Sequence, residues 1–205
     1  NSARRAMIFA TPDLWVACGL RPVPEGLAFG AVRPGQNPDI KELLEQNGRF
    51  FKRIAPLLAV QDTERDLVAG LRQRLRMRLG FSANELGVLL EDAGDLEAAY
   101  GMYMQALEID PANVCAAING YALVATKGLH VEKVDTLRKR TRRLLENRNI
   151  GRREELTAIL QNFGSIRQQA FYSEQAAAWS AFGTRAVSTA KLNKALSLST
   201  QTGLA

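Results

Sequence analysis

The sequence is poor in the side chains that most often carry metal and acid–base chemistry. It has one histidine, His130, and two cysteines, Cys18 and Cys115, in 205 residues. The cysteines lie outside any metal-ligand spacing, which favours two small buried apolar residues, with a disulfide or a reactive thiol as the alternative. A phosphate-cradling glycine loop with its lysine is missing, as is a nucleophile with a histidine base. We therefore expect no catalytic residue, no metal and no cofactor.

Long apolar runs are also missing. None approaches the roughly 18–20 residues that would span a bilayer, so we expect the chain as given to be soluble. Because the chain begins with Asn1 rather than Met, we expect a processed chain or a piece of a longer polypeptide. The compartment stays unknown, and attachment to a membrane-anchored parent protein stays open.

Positive charge is concentrated in one stretch. The formal net charge is +6, and Glu146 is the only carboxylate among the many basic residues from Arg138 to Arg153. Such a cluster binds phosphates or anionic lipid headgroups, or forms the solvated face of a helix. It has no interleaved aromatic residue on which bases could stack, which argues against nucleic acid. The candidate basic patch consists of Arg138, Lys139, Arg140, Arg142 and Arg143.

Residues 1–36 predict an irregular N-terminal segment, either a small appendage or the edge of a neighbouring domain. Residues 6–10 and 27–32 have the composition of short strands. Between them, a threonine N-cap followed by proline predicts a short helix over residues 11–18. The proline-rich stretch at residues 21–26 is predicted to be a loop.

Apolar residues recur at helical spacing over residues 37–80, which predicts a helical pair. Asn37-Pro38-Asp39 has the composition of a helix start, and leucines recur every four residues from Leu67 to Leu79. Residues 71–79 also alternate like a strand with one basic face. We favour the helix, because its helical neighbours offer no sheet to join.

Residues 81–110 predict two antiparallel helices joined by a tight turn. Gly94 suits the left-handed turn conformation, and Asp95 is placed to cap the second helix, which Pro111 ends. Small, aromatic and turn-forming residues recur through this segment at fixed spacing: Leu86-Gly87, Gly94, Ala99, Tyr103, Ala106 and Pro111. The types of residue and their spacing resemble those of a tetratricopeptide repeat.

A second unit follows in register, and Asn113 is placed to start its first helix. Gly128 lies 34 residues after Gly94, which is the period of that family. Residues 81–147 thus resemble two tetratricopeptide repeats, and residues 169–197 resemble a faint third. Lys133 and Arg140 stand where the family has small residues, which predicts looser packing of the last helix in the second unit.

Residues 148–205 are expected to be C-terminal capping helices, the first over residues 153–167, and a frayed tail.

The resemblance implies an all-α fold, a right-handed superhelix of antiparallel helical hairpins with a concave groove. It implies a non-enzymatic scaffold that binds another protein or peptide, another domain of the same polypeptide, or a second copy of itself. An RNA or an anionic membrane, bound through the basic patch, is the alternative partner. The candidate groove residues are Asn84, Val88, Glu91 and Asp92 in the first unit and Cys115, Ile118, Ala122, Ala125 and Thr126 in the second. The second set is apolar, so we expect either a partner helix or the chain's own C-terminal helices to cover it.

Overall fold

The computed structural model describes residue 15 and residues 18–33, 36–59, 68–129, 134–146 and 153–167, without the side chains of residues 126, 127 and 153–157. In these ranges a two-stranded antiparallel hairpin precedes six helices that pack one after another. The elements are β1 (Arg21–Glu25), β2 (Ala28–Val32), α1 (Ile40–Leu58), α2 (Ala69–Asp92), α3 (Leu96–Ile109), α4 (Val114–Lys127), α5 (Val134–Glu146) and α6 (Arg153–Phe163). The prediction of a mostly helical chain is confirmed.

The strand hairpin confirms one N-terminal prediction and corrects another. The strand predicted at residues 27–32 is present as β2, but the loop predicted at residues 21–26 is wrong, because most of it forms β1. Pro22 and Pro24 are two residues apart, so both ring nitrogens lie on the same side of the strand. The other side remains free to pair with β2, which makes these prolines compatible with an edge strand.

Asn47 attaches this hairpin to α1. Its side-chain Oδ1 accepts a hydrogen bond from the backbone nitrogen of Gly26 at 2.7 Å, and its Nδ2 donates to the carbonyl of Pro24 at 2.9 Å. The helix begins at Asp39, whose carboxylate caps it by accepting from the nitrogen of Glu42. The predicted helix start at residues 37–39 is thus confirmed.

α2 is one continuous helix of 24 residues. The helical interpretation of residues 71–79 is confirmed, and the predicted boundary between residues 80 and 81 falls inside this helix. Arg78 of α2 contacts the strand hairpin. Its guanidinium lies 4.9 Å from the ring centroid of Phe29, and its Nε donates to the carbonyl of Leu27 at 3.0 Å.

The turn between α2 and α3 is the one predicted. Gly94 has φ +86°, in the left-handed region, and Asp95 caps α3 by accepting from the nitrogen of Ala98 at 3.1 Å. The next turn repeats this arrangement in part. Gly128 ends α4 with φ +70°, and Asn113 begins that helix by accepting from the nitrogen of Ala116 at 2.9 Å.

α2 and α3 approach closely at two glycines. A methyl group at Gly87 would lie 2.6 Å from Cδ1 of Tyr103, and one at Gly80 would lie 2.8 Å from Cβ of Asp110. Gly87 lies next to Tyr103, and the earlier residue Gly80 lies next to the later residue Asp110, so α2 and α3 run antiparallel. The small residue predicted at position 87 is therefore required by the packing.

The looser packing predicted for the second unit is not observed at Arg140. This side chain bends toward the end of α3, where its Nη2 donates to the carbonyl of Leu107 at 2.7 Å. Thr141, one position later, is completely buried and donates from Oγ1 to the carbonyl of Ala117 at 3.2 Å. A small side chain next to the predicted position thus provides the close contact between α4 and α5.

Several predictions lie outside the described residues: the strand at 6–10, the helix at 11–18 apart from Trp15 and Cys18, the faint third repeat at 169–197, and Lys133. Across the part of the chain that is described, no helix combines the length and the hydropathy needed to cross a bilayer.

Candidate functional site

The last described helix, α6, packs against α2 and α4, the first helices of the two hairpins. Its residues complete a small apolar cluster, the second core, which consists of Val114, Cys115, Ile118, Ala122, Leu145, Ile159 and Phe163. Ile159 and Phe163 come from α6, and the others come from α4 and α5. Two covers were expected for the apolar residues of the second unit, and among the described residues α6 of the chain itself packs on Cys115, Ile118 and Ala122.

Beyond α6, side chains of both hairpins hold the main chain of residues 163–167, the docked segment. The carbonyl of Ser165 accepts hydrogen bonds from Nδ2 of Asn84 and from Nδ2 of Asn119, each at 2.9 Å. The backbone nitrogen of Ser165 donates to Oε1 of Glu85 at 2.5 Å, and its hydroxyl is 3.0 Å from Oε2. Asn84, Glu85 and Asn119 together are called the clamp.

The docked segment is also bound on both sides of Ser165. The carbonyl of Phe163 accepts from Nδ2 of Asn113 at 3.2 Å, and the nitrogen of Arg167 donates to Oδ1 of Asn119 at 3.0 Å. The guanidinium of Arg167 pairs with the carboxylate of Asp92. Main-chain atoms of Phe163, Ser165 and Arg167 are therefore bound by side chains of α2, of α4 and of the residue that caps α4.

The clamp residues are also hydrogen-bonded to one another. Nδ2 of Asn119 also donates to Oδ1 of Asn84 at 3.0 Å, which fixes the orientation of both amides. Asn84 and Asn119 are buried, and Glu85 is partly buried. Burial raises the pKa of Glu85, while its hydrogen bonds from Ser165 and Asn84 oppose that rise.

The raised pKa gives Glu85 a definite effect on stability. The folded protein holds the Glu85 proton more tightly than the unfolded chain does, so this residue's contribution to the free energy of unfolding increases as the pH falls from above the folded pKa toward the unfolded value. Urea unfolding between pH 8 and pH 5 should therefore show the wild type gaining stability relative to Glu85→Gln as the pH falls.

Glu97→Gln is the matched control for that experiment, because Glu97 is an exposed carboxylate on α3. Any pH dependence of stability that Glu97→Gln shares with the wild type does not depend on that carboxylate. A constant difference between the wild type and Glu85→Gln over the whole pH range would contradict the assigned role of burial.

The predicted groove residues divide into two groups. Buried are Asn84, Glu91, Cys115, Ile118 and Ala122, whereas Val88, Asp92 and Ala125 are partly buried or exposed, and the side chain of Thr126 is outside the described residues. Glu91 is held from within the core, where its Oε2 accepts a hydrogen bond from the buried Tyr103 hydroxyl at 2.8 Å. Asn84 and Asp92, by contrast, contact the docked segment as groove residues would.

Glu85, Asn113 and Asn119 were not predicted as groove residues, yet they hold the docked segment. For Asn119 a signal existed, since it is a lone amide within an apolar stretch of α4 and a buried amide needs hydrogen-bond partners. Asn113 was recognised only as a helix cap. The sequence offered no signal for Glu85, because a carboxylate on a helix is ordinarily solvated.

Four of the five residues predicted for the basic patch are exposed to solvent. Arg138, Lys139, Arg142 and Arg143 are exposed along α5, and Arg142 pairs with Glu146 through Nε and Oε1 at 2.7 Å. Arg140 does not belong to this surface, because it bonds to the end of α3. Of the two cysteines expected to be buried, Cys115 is buried and Cys18 is exposed.

Within the described ranges, no three His, Cys, Asp or Glu side chains are grouped as metal ligands would be. No protein-family model matches the chain, and comparisons with curated proteins and with solved structures return no match. The fold and the site define a class: a mostly helical protein of serially packed helices in which two helical hairpins hold a stretch of main chain.

Proposed function

We propose that this chain is a non-enzymatic protein-interaction module, a scaffold whose hairpins are tetratricopeptide-like repeats stacked in a right-handed superhelix. One observation carries the proposal: the clamp, drawn from α2 and α4, binds main-chain atoms of the docked segment. Every peptide presents such atoms, so fixed amide and carboxylate partners in a groove suit the binding of a peptide. The expected partner is a segment of another protein, or of another domain of the same polypeptide.

The geometry of Asn119 supports this role in particular. Its amide donates to the carbonyl of Ser165 and accepts from the nitrogen of Arg167, two residues further on. A single side chain thus satisfies one acceptor and one donor of the bound main chain. Because Asn84 already fixes the amide, little conformational entropy is lost when a peptide binds.

A random-peptide display screen would test this function. The target is the full chain carrying Ser165→Pro, which removes the N–H that Glu85 binds and so loosens the docked segment. Peptides that are enriched on this target should lose at least ten-fold in affinity when Asn119→Ala is added. Asn162→Ala is the matched control, because Asn162 is exposed on α6 and its Nδ2 donates to the carbonyl of Ala158 in the same helix.

Failure to enrich any peptide, or equal binding to the target with and without Asn119→Ala, would refute a peptide-binding groove. Circular dichroism of each variant would establish that its helices are retained, so that lost binding reports on the clamp.

A second candidate is binding of an RNA or an anionic membrane through the basic patch. The exposure of Arg138, Lys139, Arg142 and Arg143 along one helix favours it. Such binding should weaken steeply between low and moderate salt, and replacing Arg138 and Arg143 with Gln should weaken it further. Peptide selection in the groove should be unaffected by the same replacements.

A further inference from the structure

The docked segment fits the groove through its side chains as well as through its main chain. Phe163 is buried in the second core. Gly164 has φ +95°, and a methyl group there would lie 2.6 Å from Oε1 of Glu85 and 2.8 Å from Nδ2 of Asn84. Glycine is therefore favoured at this position by its backbone conformation, and a larger residue would also have to displace the side-chain ends of Glu85 and Asn84.

Two further side chains of the docked segment contact the groove, one by a hydrogen bond and one by an ion pair. The hydroxyl of Ser165 meets the second carboxylate oxygen of Glu85, and the guanidinium of Arg167 pairs with Asp92. Ile166 packs less completely, against the edge of the second core. The groove thus distinguishes four of the five positions: an aromatic residue, glycine, serine and, after one freer position, arginine.

The docked segment is separable from the main core. That core is built from buried residues of β1 and of α1 to α5, and among the described residues it includes none from α6 or from the docked segment. Departure of α6 and the docked segment would uncover the second core, the clamp and the faces of α2 and α4 against which α6 packs. An incoming peptide would cover both again if it supplied its own aromatic residue.

We propose that the groove selects peptides with the pattern aromatic–Gly–Ser–x–Arg, and that the docked segment is a resident ligand which a partner carrying this pattern displaces. The inference rests on the proposed peptide-binding function and adds the ligand class and its regulation. A resident ligand competes at a high effective concentration. Free groove is therefore scarce until the docked segment is weakened or a well-matched partner arrives.

A fluorescent peptide with the sequence of residues 158–167 tests the proposal by anisotropy. The full chain carrying Arg167→Glu, in which the charge contact to Asp92 is reversed, should bind this peptide at least ten-fold more tightly than the wild type does. A peptide carrying Gly164→Val should bind that chain at least ten-fold more weakly than the parent peptide. Equal affinities in either comparison would overturn the proposal.

A charge exchange at Asp92, which also pairs with Arg21 of β1, provides a second arm that replaces none of the clamp residues. The full chain carrying Asp92→Arg repels its own Arg167, and it should prefer the peptide with Arg167→Glu over the parent peptide by at least ten-fold. Absence of that preference would overturn the assigned arginine position.

The peptide-binding function and the ligand pattern can be refuted separately. If displayed peptides bind through Asn119 but the sequence of residues 158–167 does not, the peptide-binding function stands and the ligand pattern is wrong. If neither binds, both are wrong.

Discussion

Replacing Ile118 with Asp is expected to release α6 and to destabilise the protein by about 4 kcal/mol or more, since it combines lost apolar burial with an uncompensated buried charge. Ile118 is 1% exposed and lies in the second core with Ile159 and Phe163. Urea unfolding would measure the loss, and hydrogen exchange would show whether the amides of residues 158–167 lose protection. The variant therefore reports on attachment of α6 and is unsuitable as a simple test of partner binding.

Ala125→Asp is the matched control, because Ala125 lies on the same helix and is exposed. Its carboxylate remains in water, so the free energy of unfolding should fall by only about 1 kcal/mol, from the lower helix propensity of Asp and its place in the last turn of α4. If Ile118→Asp proved as stable as Ala125→Asp, with α6 still protected, the cover over the second core would be wrongly assigned.

Replacing Gly87 with Ala is expected to destabilise the protein by about 2 kcal/mol, although the same change in a helix interior ordinarily stabilises by about 1 kcal/mol. The difference comes from Tyr103, whose ring lies where the new methyl group would be. The ring cannot move easily, since Tyr103 is fully buried and its hydroxyl is bound to Glu91. Chemical denaturation would measure the change.

Two other glycines provide controls for Gly87→Ala. Gly101 is exposed within α3 and a methyl group there meets nothing within 4 Å, so Gly101→Ala should stabilise by about 0.5–1 kcal/mol. At Gly120 the methyl group would meet the terminal carbon of Met104 at 2.7 Å. That flexible side chain can move, so Gly120→Ala should be close to neutral. Gly87→Ala behaving like Gly101→Ala would contradict the close approach of α2 and α3.

The features that the sequence predicted well depend on residues near one another in the chain. Gly94 and Gly128 have the left-handed turn conformation, and Asp95 and Asn113 cap the helices that follow their turns or loops. Each of these functions is decided within one helical turn, so a local pattern is sufficient to identify it.

Side-chain direction could not be predicted in the same way, because it depends on distant parts of the chain. The hydrogen bond between Glu91 and Tyr103 had no signal in the sequence, and Arg140, predicted on a basic surface, bonds to the end of α3. The clamp brings Asn84 and Asn119 together across 35 positions of sequence and adds Ser165, 46 positions beyond Asn119. A helical period gives no information about which segment will return to fill a groove.

The unbroken course of α2 has a consequence for how this protein can be divided. At 24 residues it is about 36 Å long, and it packs against β1 and α1 as well as against α3 and α6. A fragment starting at residue 81 would cut through this rod and strip Arg78 from the aromatic rings it covers. A fragment that begins at residue 81 should therefore fold poorly. A fragment that retains all of α2 keeps the helix that contacts both the N-terminal elements and the hairpins.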